Sequence, residues 1–265
     1  MKRWIPFLKS DPMVAVLRLS GTIATGARGQ LNDATLAPVI ERAFKRGKPA
    51  AVALIVNSPG GSPVQSSLIA GRIRRLSDEK KVPVFAFVED VAASGGYWLA
   101  TAADEIFADE NSIIGSIGVI SASFGFHDLI ARYGVERRVY TAGKSKSMLD
   151  PFQPENPSDV KRLKALQEDI HKSFIKQVTT RRAGKLPEGK DLFTGDVWVG
   201  QGAIDQGLAD GIGHLVPVMK ARFGEKVRFA NYGAKRSVFQ RLGVRVVDDT
   251  LAGIEERAQF ARFGL

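Results

Sequence analysis

The run VPVFAFV (82–88), continued by VAASGGYWLA (91–100), decides how this chain reads. Valine and phenylalanine dominate its first part, which suits a buried strand. The strand gives way to a turn of small residues and then to an apolar, helix-like segment. Ser94 sits in that turn, followed by Gly95 and Gly96. A serine placed where a strand turns into a helix can project its hydroxyl into a cleft. The helix N-terminus and a nearby backbone N–H are then at hand to stabilise an oxyanion. Ser94 is therefore the candidate nucleophile, and Ala92, Ala93 and Gly96 leave room around it for a substrate.

Working outward, MVAVLRLSGTI (13–23) reads as the opening strand, and a helix is expected over roughly 35–46, with Leu36, Val39, Ile40 and Phe44 on its apolar face. AAVALIV (50–56) is a continuous apolar run suited to a strand buried on both faces; it ends in NSPGGS (57–62), and a second helix runs to about Asp78. Beyond the Ser94 turn, short strands are expected in EIFAD (105–109) and SIIGSIGVIS (112–121), a helix from Phe126 to Tyr133, and a strand in VERRVYTA (135–142). The Pro-rich stretch GKSKSMLDPFQPENP (143–157) reads as a functional loop. A long helix is expected over 158–183 with Ser158 as N-cap, and a short helix between glycine turns within 197–213. After Gly224 the periodicity loosens, although Leu251, Ile254, Ala258 and Ala261 have the spacing of an amphipathic helix. Strands alternating with helices imply βαβ units and a largely parallel sheet, an α/β fold. The expected organisation is an extension over 1–12, a catalytic domain over 13–224 and a basic tail over 225–265.

The 265 residues suffice for one large domain, and 44% hydrophobic content is ordinary for a globular core. Cysteine is absent, which excludes disulfides, thiolate metal sites and a cysteine nucleophile. A net charge of +10 favours anionic surfaces, and from Lys220 to Leu265 ten Lys/Arg stand against five Asp/Glu. With no RNP-like motif and no zinc knuckle, nucleic acid is not the expected partner. No stretch approaches the ~18–20 apolar residues of a membrane span, and the opening MKRWIPFLKSDP has too short an apolar run for a signal peptide. The expectation is a soluble, cytoplasmic protein, with peripheral contact at the inner membrane face through the basic tail left open.

Four segments could converge on one site. In NSPGGS, paired glycines let the backbone approach a ligand, making Gly61 N–H an oxyanion donor candidate. Gly95 N–H, after Ser94, is the second donor. The turn differs from the G-x-S-x-G elbow of the α/β-hydrolases, because Ala92 stands two residues before the serine. Ser116 in IIGSIGV is a hydroxyl placed to hold another polar group. The serine also needs a base, and His127, His171 and His214 all read as surface or capping residues. A lysine serves if burial lowers its pKa from ~10.4 toward neutrality. Lys146 and Lys144, both in the 143–157 loop, are the candidates, and spacing does not separate them.

The ordered set PGG, ASGGYW, GSIGV, GKSKxxxxPF and GLADGIG, over roughly residues 13–220, resembles the signal peptide peptidase A family of serine–lysine peptidases. The resemblance implies a Clp-protease/crotonase-like superhelical βαβ core with a mostly parallel sheet, extended here by a C-terminal helical tail. It places the nucleophile on Ser94 and the general base on Lys146 rather than Lys144. It puts the residue that positions the lysine on Ser116 and the oxyanion donors on Gly61 and Gly95. It implies no cofactor and no metal, small or hydrophobic peptides such as signal-peptide remnants as substrates, and a homo-oligomeric ring in which neighbouring subunits can share a site. Many members carry an N-terminal transmembrane anchor, and this sequence shows no such segment. Two rival readings are a crotonase-like acyl-CoA enzyme using Glu89 or Asp90, and an inactive membrane-associated scaffold of the same fold.

Overall fold

A computed structural model describes residues 11–25, 30–143, 145–233 and 257–265. The chain divides into two units, residues 1–117 with 175–265, and residues 118–174.

The first unit is built on a sheet. Strand β1 (Met13–Ser20) leads through α1 (Asp33–Lys45) to β2 (Ala51–Ser58), and α2 (Pro63–Lys80) leads on to β3 (Val84–Ala93). These three strands lie side by side and parallel, with Leu17 opposite Leu54 and Leu54 opposite Ala86. Asn32 caps α1, its side chain accepting the Thr35 N–H, and Ser62 caps α2 by accepting from Gln65 N–H. Alternate residues Val14 and Val16, Ala51 and Ala53, Phe85 and Phe87 form one face of the core with Met219 and Val227. Their neighbours Ala15, Leu17, Leu19, Val52 and Leu54 are fully buried too. Both faces are covered, which is why the strands read as unbroken apolar runs.

After α3 (Gly95–Ala100), β4 (Glu105–Ala108) pairs with β3 near its start and β5 (Ile113–Gly115) pairs with it near its end, both in parallel. In the second unit lies α4 (His127–Arg132), and α5 (Pro157–Arg181) begins there and ends in the first. Then follow β6 (Val197–Val199), antiparallel to β5, α6 (Gln201–Asp205), β7 (Gly211–Ile212), α7 (Leu215–Phe223) and β8 (Arg228–Tyr232). The sheet order is β6-β5-β3-β2-β1-β8, with β4 and β7 off this path. It is a mostly parallel α/β sheet, as read from the alternation of elements.

The second unit is held by local contacts. Phe126 N–H donates to Pro151 O (2.6 Å), Phe126 stacks on Phe152 (5.6 Å), and Arg137 reaches both the Asp150 carboxylate and the Phe152 face.

Four expectations change. VERRVYTA forms no strand: Tyr140 is 90% exposed and the segment has no neighbour to pair with among the described residues. The strand expected over 112–121 is confined to Ile113–Gly115. The cap at the start of α5 is Asn156, whose side chain accepts from the Ser158 N–H and hydroxyl. β6 and β7, flanking the short helix expected within 197–213, and β8 are additional strands, β8 parallel to β1 with Val16 opposite Asn231. Of the C-terminal helix, residues 257–261 are helical, while Leu251 and Ile254 lie outside the described residues.

Candidate active site

The parallel strands β2, β3 and β5 deliver their C-terminal ends to one edge of the first unit, where the candidate residues gather. Between β2 and β3 the register runs Val56↔Val88 and then Ser58↔Ala92. β3 thus carries two extra residues there, a bulge within 89–91. The bulge turns Glu89 and Asp90 outward, to Arg18 (2.9 Å between Nη2 and Oε1) and to Asn57 (2.5 Å). Both carboxylates are thus engaged in hydrogen bonds at the surface.

Ser94 occupies the turn from β3 into α3 with φ +52° and ψ −122°, a conformation sparsely populated by residues other than glycine. Two hydrogen bonds hold it there. Its N–H donates to Gly115 O (2.9 Å), and its carbonyl accepts from Trp98 N–H (3.0 Å). Strain of this kind persists where surroundings over-determine it, and it concentrates at functional sites.

The PGG turn after β2 packs directly against Ser94. A Cβ on Gly60, at φ +107°, would come within 2.8 Å of both Ser94 Cβ and Gly95 N. A Cβ on Gly95 would collide with Ser66 Oγ and lie 3.4 Å from Gly61 N. The Gly61 and Gly95 amides therefore border one small space. Among the described residues, neither N–H is donated to a backbone carbonyl. Ile23 fixes the turn from the other side: its N–H donates to Gly60 O (2.8 Å) and its carbonyl accepts from Ser62 N–H (2.7 Å).

Ser116 follows β5 as Ser94 follows β3. Ala93 lies opposite Gly115 in the ladder, and Ser116 has φ +51°, with its N–H donating to Asp196 O (2.6 Å). Ser94, Ser116, Gly61 and Gly95 thus share one unit. Lys146 belongs to the other, in a turn where its N–H donates to Gly143 O (3.1 Å) and its side chain is exposed. Lys144 lies outside the described residues.

Two of the three histidines sit beside carboxylates. His214 Nε2 lies 2.9 Å from Asp109, and His127 lies beside Asp128 (3.2 Å). Hydrogen bonds from Asn111 N–H and then from His214 hold the Asp109 carboxyl down at about 2. Among the described residues, no group of three or more His, Asp or Glu is gathered to hold a metal ion.

The GLADGIG stretch has a structural role that spacing alone did not reveal. Asp210 accepts two hydrogen bonds from the buried Arg182 (2.7 and 3.1 Å) and one from Lys185 (2.6 Å). Leu208 O accepts the hydroxyl of fully buried Tyr97 on α3 (3.0 Å), and burial pushes that phenol up.

Comparison with known proteins bears on this geometry. The family model described as Peptidase family S49 matches residues 76–223, a stretch that holds Ser94, Ser116 and Lys146. Along its whole length the chain is 47% identical to a protein of Brucella melitensis named Na(+)/H(+) antiporter NhaA, of which it spans 39%. It is 29% identical to a putative signal peptide peptidase SppA of Enterococcus faecium, over 82% of this chain and 64% of that protein. It is 30% identical to a putative protease of Synechocystis, over 76% of this chain and 69% of that protein. The chain thus spans less than half the length of the first of these relatives.

Proposed function

The chain belongs to peptidase family S49, the signal peptide peptidase A family, and from that premise we propose that it is a serine endopeptidase with Ser94 as nucleophile and Lys146 as general base. The observation that carries this reading is the Ser94 turn itself. A strained serine lies against Gly60, beside two amides with no backbone acceptor that border one space. The neutral Lys146 amine takes the Ser94 proton, and Ser94 attacks a peptide carbonyl. Gly61 and Gly95 N–H groups stabilise the tetrahedral oxyanion, and water releases the acyl-enzyme. Ser116 orients the lysine. Small or hydrophobic peptides such as signal-peptide remnants are its proposed substrates. Ala92 and Ala93 are fully buried and Gly96 packs against Ser58, so these small residues pack behind Ser94 and leave no room for substrate there, contrary to the sequence expectation.

A homo-oligomer, a ring with sites shared between neighbours, is part of this proposal. A lysine base requires burial, and within one chain Lys146 is exposed. Ile120, Phe124, Leu129, Tyr133, Val135 and Tyr140 of the same unit are exposed as well, apolar surface of the kind that subunits cover. A cytoplasmic location completes the reading, with the basic tail as the segment available for peripheral membrane contact, since ten Lys/Arg stand against five Asp/Glu from Lys220 to Leu265. The antiporter name of the Brucella relative is not carried over, because the stretch aligned is 39% of that protein.

The test is cleavage of short apolar peptides. Wild type cleaves, and Ser94→Ala and Lys146→Ala do not, while both variants assemble as the wild type does. Activity in Ser94→Ala would sink the proposal.

A further inference from the structure

Resting on that reading of Ser94, we propose that Arg181 and Arg74 are positioning residues that set the nucleophile by clamping the base of the strand–turn–helix on whose tip it sits.

Ser94 lies between β3 and α3, so two things fix its place: where β3 begins and where α3 ends. The structure ties these two points together. Val84, the first residue of β3, exchanges two hydrogen bonds with Asp104: Asp104 N–H donates to Val84 O (2.8 Å), and Asp104 Oδ2 accepts from Val84 N–H (2.9 Å). Between α3 and Asp104 run three residues whose carbonyls would otherwise lack partners, the usual condition of a helix C-terminus. Arg181 donates to Thr101 O through Nε (2.9 Å) and to Ala103 O through Nη2 (2.9 Å). Arg74 donates to the carbonyl between them, Ala102 O (3.0 Å), and to Asp104 Oδ1 (2.8 Å). Gln177, one turn before Arg181 on the same face of α5, donates to Thr101 Oγ1 (3.1 Å), which itself donates to Trp98 O (2.6 Å).

Two guanidinium groups therefore grip three successive carbonyls, and the carboxylate between them reaches the foot of the nucleophile's strand. Burial first, and then repulsion from Arg74, lower the Arg181 pKa, and Asp104 opposes both. This arrangement fixes a backbone more firmly than charge pairing at an exposed surface would. All of these groups belong to the first unit, and none of them lines the Ser94–Gly60 contact. The arginines act at a distance, through α3, on the placement of Ser94 and of Gly95 N–H. Misplacement of reacting groups by about 1 Å costs on the order of 100-fold in rate, so a loosened base is read in the chemical step and not in substrate affinity.

The experiment measures acylation of the full chain by a fluorophosphonate, resolved into affinity and maximal rate, together with kcat, KM and thermal melting. Wild type labels at Ser94 and Ser94→Ala does not. Arg181→Gln is expected to lower the maximal acylation rate and kcat by about 10- to 100-fold per folded molecule, with KM within about twofold. Arg181→Lys, which keeps the charge but has one nitrogen for the two carbonyls, recovers part of the loss. Arg74→Gln does the same damage, and the double variant is less than additive, because both act on one segment. Should Arg181→Gln fail to fold, Arg74→Gln carries the same comparison. Acylation at the wild-type rate in folded Arg181→Gln or Arg74→Gln, or a loss matching only the unfolded fraction, overturns the clamp. A wild type that does not label at Ser94 overturns instead the serine reading on which the clamp rests.

Discussion

The Ser94 N–H donates to Gly115 O at 2.9 Å, and this bond sets Ser94 beside Ser116 at the C-terminal ends of two adjacent parallel strands. Both serines have φ near +50°, so each strand leads into a residue held at positive φ. In the proposed mechanism Ser116 orients the lysine that serves Ser94. Ser116→Ala should lower peptide cleavage by about 10- to 100-fold with little change in melting temperature. Unchanged kcat in Ser116→Ala would remove that role.

Gly60 offers a steric test of the site. Its added Cβ would meet Ser94 Cβ and Gly95 N at 2.8 Å, and its φ of +107° is itself unfavourable for a side chain. Gly60→Ala should abolish acylation of Ser94 and destabilise the fold by about 1–3 kcal/mol. Fluorophosphonate labelling at the wild-type rate would show that the PGG turn does not shape the site.

Asp210 links stability to pH. Burial alone would raise its carboxyl, but hydrogen bonds from Arg182, Lys185 and Ile106 N–H outweigh burial and hold the carboxyl below its ordinary value. Its contribution is complete above the unfolded carboxylate value, about 4, and is lost as pH falls through the lower folded value. Asp210→Asn leaves the buried Arg182 without its counter-charge and should cost about 3–5 kcal/mol at pH 7. Urea unfolding of both proteins should show the gap narrowing as the pH falls below 4. A gap that stays constant into acid would contradict this role.

Asn156 caps α5 through its side-chain oxygen. Asn156→Ala should lower stability by about 0.5–2 kcal/mol, while Ser158→Ala should do little. The reverse order, read by denaturant midpoints, would restore Ser158 as the cap.

Much of the fold was legible in the sequence, for a physical reason. β1, β2 and β3 are buried on both faces, so each reads as an apolar run, and the glycine turns after them mark where the site gathers. Features set by tertiary pairing were not legible. β8 mixes Arg228 and Asn231 with Phe229 and Tyr232, and only its alignment on β1 makes it a strand. VERRVYTA has strand-like residues but no strand beside it among the described residues. The bulge within 89–91 shows only in the register with β2. Arg181 and Arg74 left no signal either, because single arginines on helices read as solvated surface until their carbonyl partners are placed. For the base, spacing left Lys144 and Lys146 equal, and the family's motif order separated them.

The most direct test of the Ser94–Lys146 assignment is cleavage of a panel of short apolar peptides by wild type, Lys146→Ala and Lys146→Arg. Arginine keeps the charge but cannot supply a neutral amine. Cleavage by the wild type alone is the predicted result. Equal cleavage by all three would place the general base elsewhere and contradict the assignment.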